Sequence, residues 1–393
     1  MTVTSVPRDP DGPARLGDVD VPGGRGSLAG PLGWLGRPPV LLALGALVFL
    51  VWLGRGMTFY HDEYTMILLR DLSVRGILAP HNEHLSATLV LLYRGLLGTV
   101  GMVSYWPYLG VTYALHLAVS AIVYVVVRRS APAAWALGAM AVMLVLGSGG
   151  DDILWAFQSG TIGAVAGGLA AIVVAPRRPG LAAGLLVVAM ATSGASLAFF
   201  VGTALHLLLT RPRALAWLAV PFGLYLAWFV AFGAAGTGSP SVIGLPAYVL
   251  SGLITTAAGI AGSTAPVVGV AVLVALAVGL VVARPVPPVV LALVATSVAF
   301  FAIAGLVRSQ LGADQADAPR YVYIAAPGLL VAAAVLLARI PRPAGEVIGA
   351  VLLVIALVGN VTLLVASHER FLSKIVCEQA LTPLARGSAG NPC

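Results

Sequence analysis

Charge is scarce in this chain: only 9% of its 393 residues are charged, against 59% hydrophobic, and the mean hydropathy is +0.99. A soluble domain carries about a quarter charged residues, so a soluble globular class is excluded and the bilayer is read as the solvent. Lysine is nearly missing, Lys374 being the only one. The net charge of +7 is carried by arginines set in short clusters between apolar runs. The positive-inside rule expects that placement, and it argues against a nucleic-acid partner. Cysteine is limited to Cys377 and Cys393, both after the last apolar run; outside the cytoplasm the pair is expected to close a short disulfide loop, with two unpaired thiols the alternative. A Gly-rich nucleotide loop, a Ser/His/Asp pattern, a His-Glu-x-x-His helix and a heptad repeat are all absent from the sequence. Any chemistry therefore belongs to the membrane bundle and the loops that join its spans.

What the chain does have is a series of apolar runs long enough for a hydrocarbon core of roughly 30 Å. They cover 39–54, 105–127, 132–146, 160–175, 214–232, 266–283, 289–307, 321–338 and 345–366. The stretch 181–209 is broken by Thr192, Ser193, Gly194 and Ser196 and reads as two short spans meeting at a polar turn. The sum is an all-α membrane protein of about eleven crossings. In this count Arg128, Arg129, Arg177, Arg178, Arg211, Arg213, Arg284, Arg339 and Arg342 fall on one side. Asp62, Glu63, Asp71, Glu83, Asp151, Asp152, Asp314 and Asp317 fall on the other. That asymmetry puts the amino terminus in the cytoplasm and the carboxyl terminus outside an inner, plasma membrane.

The expected organisation is a disordered cytoplasmic tail over 1–37 and a helical membrane domain over 38–366, followed by an extracytoplasmic tail over 367–393. The outward loops are expected at 55–104, 147–159, 233–265 and 307–320. Two further apolar runs, 84–100 and 248–262, are assigned to the outer interface, because counting either alone as a span reverses every later arginine loop. The first also carries Arg94 in its middle, which is costly in lipid. His116 and His206, within spans, are expected to face the bundle and find partners there.

The outward loops hold the polar residues able to carry chemistry. His61-Asp62-Glu63-Tyr64 follows the first span, and His81-Asn82-Glu83-His84 lies in the same loop. Adjacent carboxylates beside apolar surroundings should resist joint ionisation, raising the pKa of one of them toward a value useful for accepting a proton. Two histidines with a nearby acid leave a divalent metal open as a cofactor, although the spacing matches no strong signature; substrate hydrogen bonding and helix capping are the alternatives. Asp151-Asp152 precedes Trp155-Ala156-Phe157-Gln158, bringing acids, an aromatic platform and an amide to the same face. The last outward loop supplies Arg308, Arg320 and Tyr321. Arginines there oppose the charge rule, and a guanidinium fork suits a phosphate as well as it suits ordinary anionic headgroups.

The acidic pair Asp62-Glu63 in the first outward loop, the acidic and aromatic loop Asp151-Asp152 with Trp155 to Gln158, and the late Arg320-Tyr321 together resemble the bacterial GT-C superfamily of membrane glycosyltransferases. The layout covers most of the chain. The resemblance implies a multi-span helical fold with interfacial helices, and transfer of a sugar from a polyprenyl-phosphate donor to an acceptor hydroxyl outside the cytoplasm. It makes Asp62 the expected catalytic acid-base group, with Glu63 and Asp152 in supporting or acceptor-binding roles and Arg320 at the donor phosphate. The large carboxyl-terminal outer domain of several members is missing from this sequence. A flippase or transporter of lipid-linked sugars and a noncatalytic scaffold are the other classes the sequence leaves open. A transporter would be expected to place charges near the bilayer midplane.

Overall fold

The computed structural model describes residues 36–234 and 240–384, with side chains as far as residue 378. Most of the expected amino-terminal tail, and Cys393, lie outside the described residues. Among the described residues there is no β-strand, and regular structure is helical apart from one isolated bridge between His81 and His84. In chain order the helices are α1 (Pro38–Leu53), α2 (Asp62–Tyr64), α3 (Val74–Leu78), α4 (Ala87–Thr99), α5 (Trp106–Arg128), α6 (Ala133–Leu144), α7 (Gly150–Leu154) and α8 (Ser159–Val174). There follow α9 (Pro179–Thr192), α10 (Ser196–Thr210), α11 (Ala219–Trp228), α12 (Leu245–Ile260), α13 (Pro266–Val282), α14 (Pro288–Arg308), α15 (Pro319–Leu337) and α16 (Ala344–Leu384). Short 3-10 and π turns extend several of them.

Proline sets many of the starts. It occupies the first turn of α1, α5, α9, α12, α13, α14 and α15, where its missing N–H is one the helix could not have bonded anyway. Seven helical stretches are long and apolar enough to cross a membrane: Trp106–Arg128, Ala133–Leu154, Ala156–Val174, Pro212–Gly233, Pro288–Leu311, Pro319–Leu337 and Ala344–Glu378. Six shorter apolar helices accompany them, namely α1, α4, α9, α10, α12 and α13. The outer faces of α13 and α16 stay apolar, with Val267, Val274, Val281, Val347, Val351 and Ile355 all exposed, as faces turned to lipid are. The chain thus has the architecture of a multi-pass α-helical membrane protein.

The core centres on α15, which is buried almost continuously from Tyr321 to Val335 and packs against α14, α12 and α6. Around it α10 packs on α14, α8 on α9, and α5 on α6. The arginine-bearing connections touch one another: Arg211 Nη1 donates to Pro176 O at 3.4 Å, and Arg339 donates to Ala283 O and, at 2.8 Å, to Pro285 O. The opposite ends of the same helices carry the loops expected to face outward. Those loops are built of short helices: α2, α3 and α4 in the first and α7 in the second.

Both interface assignments meet short helices. α4 has 13 residues, and its Arg94 reaches the Ile67 carbonyl at 3.2 Å. α12 lies across the loop-bearing end. It begins against Ser309, its Ser251 and Thr255 hydroxyls both donate to Asp317 Oδ1 at 2.8 Å, and its Gly259 abuts Ser148. The break expected near residues 192–196 is present, with α9 ending at Thr192 and α10 opening at Ser196. His116 is fully buried with Nδ1 2.8 Å from Tyr323 Oη and Nε2 3.1 Å from Leu144 O, and His206 Nδ1 lies 2.7 Å from Ile172 O.

One boundary differs from the sequence reading. The tail expected from residue 367 is the continuation of α16, a helix of 41 residues. Ala356, Asn360, Leu364, Ser367, Phe371 and Ile375 are all buried, at spacings of three and four that keep them on one helical face. Hydropathy stops at Ala366, but this face does not stop, because it packs on α7 and the loop before it. Cys377, on the same extension, is disulfide-bonded.

Candidate functional site

The site begins where the chain leaves α1. Glu63 is completely buried: its Oε2 accepts from the Tyr60 N–H at 2.9 Å, and its Oε1 accepts from Tyr93 Oη at 2.5 Å. Tyr105 Oη donates to the same carboxylate at 3.2 Å and accepts from the Ala156 N–H at 2.9 Å. One carboxylate thereby ties the loop after α1 to α4, to the start of α5 and to the loop before α8. Burial pushes the Glu63 carboxyl up from 4.5 to about 7, against the pull of the Tyr93, Tyr60 and Tyr105 hydrogen bonds.

With Glu63 turned inward, Asp62 turns out into a cavity of about 680 Å³, a size typical of small-ligand sites. His81 Nε2 lies 3.8 Å from Asp62 Oδ2 and His61 Nε2 lies 3.6 Å from Oδ1. The His81 imidazole, followed by His61 and Arg320, holds the Asp62 carboxyl below its ordinary value although burial opposes this. The raised carboxyl of the pair is therefore Glu63, and Asp62 is the ionised member at neutral pH. His81 to His84 form a tight two-residue turn closed by N–H···O bonds of 2.9 and 3.0 Å, with φ of 45° at Asn82 and 72° at Glu83. Such a turn suits Asn in its first central place and Gly in its second; Glu83 pays a steric cost there of roughly 1 kcal/mol. His61 also has positive φ, at 51°. These are the three non-glycine residues with positive φ among the described residues, and all three line the cavity. Strained backbone held in place by its surroundings is a marker of functional sites. His84 packs against Gly194 in the α9–α10 break, and burial, then the Arg308 charge, push its imidazole down to about 4.

The segment between α6 and α8 contributes Asp151, Trp155 and Gln158 to the lining. Asn360 of α16 fixes that loop by accepting from the Gly147 N–H at 3.0 Å. Gln158 Oε1 accepts from Thr161 Oγ1 at 2.7 Å. The connection between α14 and α15 and the residues flanking it contribute Arg308, Arg320 and Tyr321: Arg308 donates to Tyr321 Oη, and the guanidinium carbons of Arg308 and Arg320 lie 5.6 and 5.2 Å from the Tyr321 ring centroid. Among the described residues Arg320 has no hydrogen bond or ion pair, which leaves its planar donors available to an anion.

Of the residues the sequence singled out, His61, Asp62, His81, Glu83, His84, Asp151, Trp155, Gln158, Arg308, Arg320 and Tyr321 line this one cavity. Glu63 and Asp152 do not. Both are fully buried, so neither can touch a ligand in the cavity; Glu63 positions its neighbour, and both Asp152 oxygens lack a hydrogen-bond partner. Among the described residues no group of three or more His, Cys, Asp or Glu side chains is arranged to hold a metal ion.

Sequence reasoning missed Tyr60, Thr161, Thr192, Phe371 and Lys374, which also line the cavity. The signal for the last two was the three-and-four spacing of Leu364, Ser367, Phe371 and Ile375. The apolar end of the cavity is built from α10, α11 and α14, through Leu197, Tyr225, Phe229, Phe300, Ile303 and Val307. The arrangement offers an ionised carboxylate between imidazoles, a guanidinium pair and an apolar trough within one space. No protein-family model, curated protein or solved structure matches this chain.

Proposed function

We propose that this protein is a membrane glycosyltransferase of the GT-C kind, moving a sugar from a polyprenyl-phosphate donor to an acceptor hydroxyl outside the cytoplasm. The observation that carries the reading is the convergence of three separate loops on one cavity, with Asp62 on its wall and the Arg308–Arg320 pair at Tyr321. In the proposed step the acceptor oxygen bonds to the anomeric carbon while Asp62 takes the hydroxyl proton. The anomeric carbon–oxygen bond breaks, and its electron pair leaves on the phosphate. That leaving group needs charge stabilisation more than protonation, the role given to Arg320 and Arg308. The apolar residues of α10, α11 and α14, Leu197, Ile303 and Val307 beside Tyr225, Phe229 and Phe300, suit the carrier lipid. The accompanying topology is about eleven spans, made of the seven long stretches with α1, α9, α10 and α13, the cavity facing outward, the amino terminus in the cytoplasm and the carboxyl terminus outside.

A flippase of lipid-linked sugars draws support from Asp152, a buried carboxylate without a partner in a stretch long enough to span, as proton-coupled carriers use. One experiment separates the two: purified protein in proteoliposomes receives radiolabelled polyprenyl-phosphate sugars, and transfer to an acceptor is measured beside movement between leaflets. Transfer that falls by roughly 100-fold in Asp62→Asn, with donor binding retained, is the expected result. Translocation without transfer, or full transfer by Asp62→Asn, overturns the reading.

A further inference from the structure

The cavity wall beside Asp62 is aromatic, and the step above makes no use of it. Tyr60, Trp155 and Phe371 come from three separate segments and meet with ring centroids 5.8 Å apart for Tyr60 and Trp155, 6.2 Å for Tyr60 and Phe371, and 6.3 Å for Trp155 and Phe371. His61 adds a fourth ring 6.5 Å from Trp155, and its Nε2 is 3.6 Å from the Asp62 carboxylate. The Lys374 ammonium sits 5.4 Å above the Phe371 ring.

Membrane anchoring does not account for these rings. Tryptophans suited to the lipid boundary are present elsewhere: Trp52, Trp106 and Trp217 are 52%, 43% and 51% exposed on the outer surface, as belt residues are. Phe371, by contrast, is 4% exposed, and both it and Trp155 line the cavity. Core packing alone would be served by aliphatic side chains without charged groups around them, whereas Asp62, Asp151 and Lys374 line the same space as the rings. Flat apolar faces edged by carboxylates and an ammonium match a ligand with a C–H face and a rim of hydroxyls, which describes a pyranose ring. A phosphorylated ligand would need the cations elsewhere, since Arg308 and Arg320 gather around Tyr321.

We infer that this wall is the acceptor subsite and that the acceptor is itself a carbohydrate, its ring stacked on Trp155 and a hydroxyl turned to Asp62. The inference rests on the glycosyltransferase reading only for the word acceptor; carbohydrate binding at the wall stands or falls separately. Its test uses the full-length protein in detergent and a panel of gluco-, manno-, galacto- and arabino-oligosaccharides, with binding followed by saturation-transfer NMR without donor. A panel member should bind saturably to the wild type. Trp155→Ala and Phe371→Ala should each weaken it by roughly tenfold, as loss of a well-packed aromatic contact does, and Trp155→Phe should recover part of the loss. Trp217→Ala should bind as wild type, and melting temperatures identify any variant that fails to fold. In the transfer assay the same variants should raise the KM for acceptor and leave the KM for donor unchanged. Absence of binding by every panel member, or wild-type affinity in both folded alanine variants, overturns the inference. Binding lost in those variants while no donor supports transfer would sink the glycosyltransferase reading and leave the carbohydrate site.

Discussion

Replacing Glu63 by glutamine isolates the energetics of the buried carboxylate that organises the site. The folded protein holds this carboxyl at about 7, against an ordinary 4.5, chiefly through burial. Below pH 4.5 the group is neutral whether the chain is folded or unfolded, so it carries no charge penalty. As pH rises from 4.5 to about 7 the unfolded chain releases the proton while the folded one keeps it, and stability falls. At 1.36 kcal/mol per tenfold difference the loss is on the order of 3 kcal/mol above pH 7. Glutamine cannot ionise and keeps one acceptor oxygen, with the Tyr93 and Tyr105 hydroxyls free to turn. Thermal unfolding in detergent at pH 5 and pH 8 should therefore show Glu63→Gln gaining on the wild type at the higher pH. Taking the difference between the two proteins cancels His84, whose depressed pKa acts in the opposite direction. Glu63→Ala should lose stability at both pH values, because the hydroxyls of Tyr93 and Tyr105 and the Tyr60 N–H lose their common acceptor. A wild-type minus Glu63→Gln difference that stays constant from pH 5 to pH 8 would show that burial does not hold the Glu63 proton.

Three further outcomes are expected. Arg320→Ala should weaken donor binding by about 1 to 3 kcal/mol, and Arg320→Lys should stay impaired because an ammonium lacks the planar fork; titration with donor checks both, and wild-type affinity in Arg320→Ala counts against a phosphate contact. Gly147→Ala should lower the melting temperature, because a Cβ there would sit 2.1 Å from Asn360 O and 2.4 Å from Leu364 N, backbone atoms that cannot step aside, at a cost of at least about 1 to 3 kcal/mol; Gly184→Ala, with nothing within 4 Å, should be neutral or slightly stabilising. A cysteine introduced beside Asp314 should react with an impermeant thiol reagent applied outside intact cells and one beside Arg177 should not; the reverse pattern would invert the topology.

Composition and pattern alone marked a membrane protein of helical class and showed where most of its helices begin. Its apolar runs match the helices and its first-turn prolines mark their beginnings. Ser193 and Gly194 separate α9 from α10 as their polarity suggests. Asp62, Asp151, Arg308 and Arg320 could be singled out because polar groups are rare here, so each one left between apolar runs is conspicuous. Hydropathy measures transfer into lipid, and that is why it ended the last helix at Ala366: the continuation through Phe371 and Lys374 is held by packing against α7, a partner more than two hundred residues away in the chain. Tertiary structure also decided between Asp62 and Glu63. Successive residues of a helix point about 100° apart, so the two carboxylates of an adjacent pair meet different surroundings, and nothing local says which of them the core will take. Tyr93 and Tyr105, 30 and 42 residues further on, supply the hydroxyls that draw Glu63 into the core and leave Asp62 facing the cavity.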